Sequence, residues 1–293
     1  MQTKNEIERL MAATGQGPNK QLGQHFLIDL NLMRILIDSA GIRPGDVVLE
    51  VGCGTGSLTE GLADVTSRVI GVEYDSALAE VARYQLRLRT NIELINADIL
   101  STKHEICPRV AEAAEKARQQ TGGRLLLVSN LPYHVAAAVM ANLIVGPLIA
   151  ETMTVTVQRE VAERMTSGPC DGLYGSLSIL MAATGVVRII RKLPPSVFWP
   201  MPQVDSAMVE FVRDPAKAAR IEDISVFQQV VSLFMGHRRK TLRGCTKLGH
   251  EGLSAISDWD AIFQEAGIDP GQRAERIDPD GFLRLANLCR QRM

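Results

Sequence analysis

Val47-Val48-Leu49-Glu50-Val51-Gly52-Cys53-Gly54-Thr55-Gly56 is the stretch whose reading decides the fold. Its first five residues form a short apolar run rich in valine, the mark of a strand buried on both faces of a parallel sheet. The run passes without a spacer into glycines at three alternate positions. Glycines after such a strand permit a tight turn and let a ligand approach the backbone closely. Upstream, Pro44-Gly45-Asp46 reads as a turn, and Leu32, Ile35, Leu36 and Ala40 fall at helical spacing, with Gly41 to end the helix.

Working outward, the alternation repeats. A helix over Leu58–Ala63 precedes a strand over Arg68–Glu73, and a helix over Ala77–Leu88 precedes a strand over Ile92–Ile95. A charge-rich helix at about 105–119 precedes a strand over Leu125–Ser129, and a helix over Val135–Val145 precedes a strand over Met153–Gln158. Two further strands are expected at Val186–Arg191 and Ala207–Val212, joined by a proline-rich loop. Alternating strands and helices predict an α/β fold, a parallel sheet with helices on both faces. After Asp214-Pro215 the composition changes. Helical patterns from Ile224, over Trp259–Ala266 and over Pro279–Cys289 predict a small all-helical C-terminal domain. The organisation expected is therefore an N-terminal arm at 1–20, carrying a short helix near Glu6–Ala13, an α/β domain at 21–215 and a helical domain at 216–293.

The 293 residues agree with two domains at roughly 150 residues each. With 46% hydrophobic and 22% charged residues, the composition excludes a disordered chain, a collagen or a small disulfide scaffold. A net charge of −1 gives no global basic field, so a nucleic-acid partner has to be met by a local patch. The five cysteines are scattered, without a Cys-x-x-Cys pair, which fits a reducing cytoplasm and argues against a zinc cluster. No signal peptide is visible. The most membrane-like stretch, Val135–Ala150, is shorter than the about 20 apolar residues of a span and contains Asn142 and Pro147.

The glycine pattern alone also fits a plain turn of an α/β protein. Two acids change its meaning. Glu73 closes the strand after the loop, where a carboxylate can accept from both ribose hydroxyls. Asp98 follows the next strand, where a carboxylate can accept from an adenine amino group. Three successive strand ends on one sheet edge describe an adenosine site. Together they resemble the S-adenosylmethionine-dependent methyltransferases of Rossmann type, whose cofactor has no phosphate and needs no phosphate cradle.

Asn130-Leu131-Pro132-Tyr133 ends the fourth strand. The lone pair of an exocyclic ring amine is delocalised, so the nitrogen is a weak nucleophile. Acceptors aimed at its N–H groups favour a tetrahedral nitrogen and stabilise the developing positive charge. The Asn130 side-chain oxygen and the Leu131 carbonyl are candidates for that role, Pro132 stiffens the turn, and Tyr133 offers a stacking face. The tetrapeptide resembles the [Asn/Asp]-x-Pro-[Tyr/Phe] motif of amino-methyltransferases.

Further segments narrow the resemblance: Leu22-Gly23-Gln24-His25-Phe26-Leu27, Tyr174-Gly175-Ser176-Leu177-Ser178, Pro195-Ser196-Val197-Phe198-Trp199-Pro200, Val204-Asp205-Ser206 and Arg238-Arg239-Lys240-Thr241-Leu242-Arg243. From about Lys20 to the C-terminus they resemble, in order, the small-subunit ribosomal RNA adenine N6,N6-dimethyltransferases. The resemblance implies dimethylation of two adjacent adenosines near the 3′ end of 16S rRNA during small-subunit biogenesis, with S-adenosyl-L-methionine and no metal. It implies cofactor contacts from His25, Leu27, Gly52, Glu73, Asp98 and Asn130, and catalytic roles for Asn130, Leu131 and Tyr133. It implies a sandwich of the extruded adenine between Tyr133 and Phe198, and phosphate contacts from Arg238, Arg239, Lys240 and Arg243. Those four and Lys247 lie in a segment, Val231–His250, with no acid. The partner expected is 16S rRNA in the subunit or its precursor, met by a cytoplasmic monomer with no membrane contact. The chain departs from the common pattern at Cys53, where proline is frequent, and at His134-Val135-Ala136-Ala137, which bears on the second methylation. Stretch 101–124 receives no role. The alternatives are a large-subunit rRNA adenine N6-methyltransferase and a non-catalytic ribosome assembly factor.

Overall fold

The computed structural model describes residues 1–13, 15, 17–18, 23–249 and 251–293; Leu22, part of one matching segment, lies outside them. In chain order the elements are α1 (Lys4–Ala13), β1 (Phe26–Leu27), α2 (Leu30–Ser39), β2 (Val47–Val51), α3 (Ser57–Ala63), β3 (Arg68–Glu73), α4 (Ser76–Leu86), β4 (Ile92–Asn96), β5 (Leu100–Thr102), β6 (Glu105–Ile106), α5 (Pro108–Thr121), β7 (Leu125–Asn130), α6 (Ala136–Val145), β8 (Thr152–Gln158), α7 (Arg159–Thr166), α8 (Ser176–Thr184), β9 (Gly185–Leu193), β10 (Phe198–Trp199) and β11 (Ser206–Arg213). Then follow α9 (Pro215–Ala218), α10 (Ile224–Gly236), α11 (Leu242–Thr246), α12 (Trp259–Ala266) and α13 (Pro279–Gln291).

Two compact units result, Met1–Ala162 with Arg188–Val212, and Glu163–Val187 with Arg213–Met293. The first carries a seven-stranded sheet of order β4-β3-β2-β7-β8-β11-β9. Neighbours from β4 to β8 run parallel, and β11 is antiparallel to β8. Order reverses between β2 and β7, so their carboxyl ends flank the crevice where doubly wound sheets bind ligands. Every residue of β2 is buried: its four apolar residues, as a strand covered on both faces requires, and Glu50 among them. Ser129 Oγ donates to Val51 O at 2.6 Å and fixes the ends of β7 and β2 together.

Three sequence expectations change. The N-terminal segment is not a free arm, because Ile7 and Met11 of α1 are buried with Leu78 against Phe26, Ile28 and Trp199. The helix expected from 105 starts at Pro108, a residue suited to a first helical turn, and stops at Gly122 with φ 68°. The preceding residues form the β5–β6 pair instead. The helical unit does not begin at 216 alone. It also takes in α8, which is buried on nearly every side, Ser178 and Thr184 included, and so gives no amphipathic stripe.

The second unit packs α8, α10, α12 and α13 around Phe227, Phe234, Phe263 and Phe282, all fully buried. Tyr174 is also buried there and donates its hydroxyl to Ile277 O at 2.9 Å. Among the described residues, no helix is long and apolar enough to cross a membrane.

Candidate active site

A cleft of about 270 Å³ opens at the carboxyl edge of the first unit's sheet. Its floor is the glycine loop. Gly52, Gly54 and Gly56 have φ of 77°, 56° and 85°, a left-handed region that residues with a Cβ rarely enter. A Cβ on Gly54 would lie 2.7 Å from the Phe26 ring, and one on Gly52 would lie 2.8 Å from Pro132 Cγ. Only glycine lets this backbone form the wall.

Glu73, at the end of β3, lines the same cleft and is 7% exposed. Its two carboxylate oxygens accept from Gly54 N at 2.8 Å and Asp75 N at 2.9 Å. Burial pushes its carboxyl above the usual range, and those main-chain N–H groups partly offset the rise. Asp98 lines the cleft beyond β4 and accepts Leu100 N–H at 2.9 Å. Val72, Leu78 and Ile99 add apolar surface between the acids. Apolar walls with a few placed polar groups are the usual build of a small-molecule site.

The other half of the cleft is Asn130, Leu131, Pro132, Tyr133, His134 and Val135, together with Gly23, Gln24, His25 and Phe26. Asn130 Nδ2 donates to His25 O at 2.7 Å, and Thr156 Oγ1 donates to Asn130 Oδ1. The Tyr133 hydroxyl shares a hydrogen bond of 2.6 Å with Ser206 Oγ, and burial raises the phenol above its ordinary range. The His25 ring lies 5.5 Å from that of Tyr133. His25 Nδ1 lies 2.6 Å from Pro200 O. A carbonyl can only accept, so Nδ1 carries a proton and donates it to Pro200 O.

The structure thus brings His25, Gly52, Glu73, Asp98, Asn130, Leu131 and Tyr133 to one cleft. Two expected residues are elsewhere. Phe198 is 2% exposed and packs in the main core with Leu36, Leu62 and Met208, so it offers no face to a base. Its apolar bulk and its pairing with Leu27 hold β10 against β1. Leu27 is 5% exposed in the same core and does not line the cleft, because the two-residue strand turns it inward while His25 and Phe26 line the cleft. Sequence reasoning missed Thr156 and Tyr74. Tyr74 is 61% exposed at the cleft; its position directly after Glu73 was the available signal. Thr156 sits one strand away and only the register Asn130↔Thr156 reveals it.

In the helical unit Arg239, Lys240, Arg243 and Lys247 are exposed. The segment has no acid of its own, but folding supplies two. Arg243 pairs with Asp260 at 2.7 Å, and Arg238 lies 3.6 Å from Glu275. No group of His, Cys, Asp and Glu suited to a metal occurs among the described residues.

A sheet of this order with a glycine loop, two acids at successive strand ends and an Asn-Leu-Pro-Tyr end defines a Rossmann-type methyltransferase. The sequence profile of the ribosomal RNA adenine dimethylase family matches residues 15–291, and the chain belongs to that family. The ribosomal RNA small subunit methyltransferase A of Pelotomaculum thermopropionicum is 35% identical over 96% of this chain and 94% of its own. The protein of the same name from Phenylobacterium zucineum is 34% identical over 98% and 93%. Among solved structures, the 23S rRNA methyltransferase ErmE is 26% identical, with a TM-score of 0.60 over 89% of this chain and 98% of its own. A dimethyladenosine transferase from Plasmodium falciparum shares the fold, with a TM-score of 0.72 at 21% identity over 90% and 97%.

Proposed function

We propose that the chain uses S-adenosylmethionine to dimethylate the exocyclic nitrogens of two adjacent adenosines near the 3′ end of 16S rRNA, in the small subunit or its precursor. The observation that carries this reading is the meeting of Glu73, Asp98, Asn130 and Tyr133 in one cleft. The residues fit the cofactor. Glu73 keeps acceptor capacity for ribose hydroxyls beyond its two main-chain bonds, Asp98 accepts from the adenine amino group, and the side-chain-free wall at Gly52 admits close approach. His25 meets the methionine end. When bound, S-adenosylmethionine supplies an electrophilic methyl group.

The chain's own residues then act on the target. Tyr133, anchored through Ser206, stacks the extruded base; Phe198 supports β1 from behind instead of closing a sandwich. Asn130 Oδ1 and the Leu131 carbonyl accept the two amine N–H groups and favour the tetrahedral nitrogen that attacks. The methylated aminium is acidic and loses its proton without a dedicated base. In the helical unit, Arg239 and Lys240, with Arg238 and Arg243 beside their acids, contact RNA phosphates, which positions the substrate and leaves base choice to RNA shape. The reading includes a monomer acting in the cytoplasm without a membrane partner.

The names of the relatives at 34–35% identity favour the small subunit over the large one. Methyl label from S-adenosylmethionine, offered to unmethylated small and large subunits in one reaction, tests this. Label on small-subunit RNA supports the reading, and label confined to large-subunit RNA overturns it.

A further inference from the structure

We propose that Thr156 is a positioning residue for methyl transfer, setting both acceptors that meet the target amine. The inference rests on the function proposed above. Thr156 is fully buried in β8, in register with Asn130 of β7. Its hydroxyl donates to Asn130 Oδ1, and its main-chain oxygen accepts Leu131 N–H at 3.2 Å. One residue therefore fixes the side-chain amide of Asn130 and the peptide that precedes the Leu131 carbonyl.

The orientation of the Asn130 amide follows from chemistry. Its other partner is His25 O, at 2.7 Å, a carbonyl that accepts and never donates. The NH₂ group must face His25, so the oxygen must face Thr156, whose hydroxyl then has to donate. The donation to His25 also polarises the amide and strengthens Oδ1 as an acceptor. With one lone pair of Oδ1 taken by Thr156, the second is left for an amine N–H. Nothing in this arrangement needs a bound ligand, so the acceptor is set before the adenosine arrives. A hydroxyl is required here rather than bulk alone: valine fills the same volume and cannot donate.

Thr156→Val and Thr156→Ser test the assignment, each read by steady-state kinetics and by the Asn130 side-chain amide signals in a ¹H–¹⁵N spectrum. Thr156→Val is expected to lower kcat by about five- to tenfold. KM for S-adenosylmethionine and for small subunits should stay within twofold, and the Asn130 signals should shift. Thr156→Ser, which restores the donor, should recover most of the rate. Wild-type kcat in Thr156→Val, or unmoved Asn130 signals, overturns the proposal. Equal loss in both variants assigns Thr156 to packing and also overturns it. If the wild-type protein transfers no methyl group to small subunits, the functional reading fails. The amide signals still decide whether Thr156 sets Asn130.

Discussion

Asn130 Nδ2 donates to the main-chain oxygen of His25 at 2.7 Å. This bond ties the Asn-Leu-Pro-Tyr motif to the segment preceding β1. It spans 105 residues of sequence, and both ends line the cleft. The end of β7 and the segment before β1, which together form one side of the cleft, are therefore built as one piece.

Asn130→Ala removes the acceptor and the bond to His25 together. Turnover should fall by about 10²–10³-fold, the usual loss when one preorganised transition-state interaction is deleted. The two missing hydrogen bonds, to His25 O and from the Thr156 hydroxyl, cost about 1 kcal/mol each, so the variant should melt at a lower temperature with its circular dichroism and melting cooperativity unchanged. Wild-type turnover in a folded Asn130→Ala protein contradicts the chemistry assigned to the motif.

Gly52→Ala should disturb both halves from the cofactor side. Its Cβ would meet Pro132 Cγ at 2.8 Å, at a φ of +77°. The strained backbone alone costs about 1–2 kcal/mol, and Pro132 must shift with its neighbours Leu131 and Tyr133. Calorimetric titration should show weaker S-adenosylmethionine binding, and kcat should fall as well. Weaker binding with unaltered kcat would mean that Pro132 moves without disturbing the acceptors.

Glu50 gives the fold a pH dependence. It is 2% exposed, its Oε2 has no hydrogen-bond partner among the described residues, and burial pushes its carboxyl up to about 8, with Thr59 opposing and the charge of Glu73 adding to the rise. The native protein therefore holds a proton that the unfolded chain releases near 4.5. The stabilisation, of the order of 5 kcal/mol, is complete below that value and is lost as pH rises through about 8. Glu50→Gln has no proton to lose. Thermal melts from pH 5 to pH 9 should show the variant gaining on wild type as pH rises, whereas parallel curves would contradict the assignment.

Arg239 and Lys240 are exposed in the helical unit, and among the described residues neither has an acidic partner in an ion pair, unlike Arg243 and Arg238. Replacing both with alanine should weaken binding to small subunits and flatten the dependence of log K on log salt by about two, one for each phosphate no longer neutralised. Arg243→Ala should do less, because Asp260 already offsets its charge. Equal slopes for wild type and the double variant would remove these residues from the RNA interface.

Much of this was legible in the chain because it is carried by local signals. The run Val47–Val51, the glycines behind it, and the acids at Glu73 and Asp98 announce a strand, a turn and two strand ends without tertiary knowledge. The β5–β6 pair was hidden because residues 100–106 carry neither a long alternation nor a strong turn signal. Helix α8 was hidden because burial on all sides erases amphipathic periodicity. Phe198 was misjudged because an aromatic beside prolines reads alike whether it faces a cleft or a core; its register opposite Leu27 decides for the core. Thr156 carries no motif at all, and its part depends on which strand lies beside β7.

The central claim is methyl transfer to adenine N6 on small-subunit RNA, with Asn130 as acceptor. The most direct test incubates wild-type and Asn130→Ala proteins with labelled S-adenosylmethionine and unmethylated small subunits, followed by nuclease digestion and mass spectrometry of the RNA. The account predicts dimethyladenosine at two adjacent positions near the 16S 3′ end with wild type and none with the variant. Subunits bound tightly but left unmethylated by the wild-type protein would contradict it and leave a non-catalytic assembly factor.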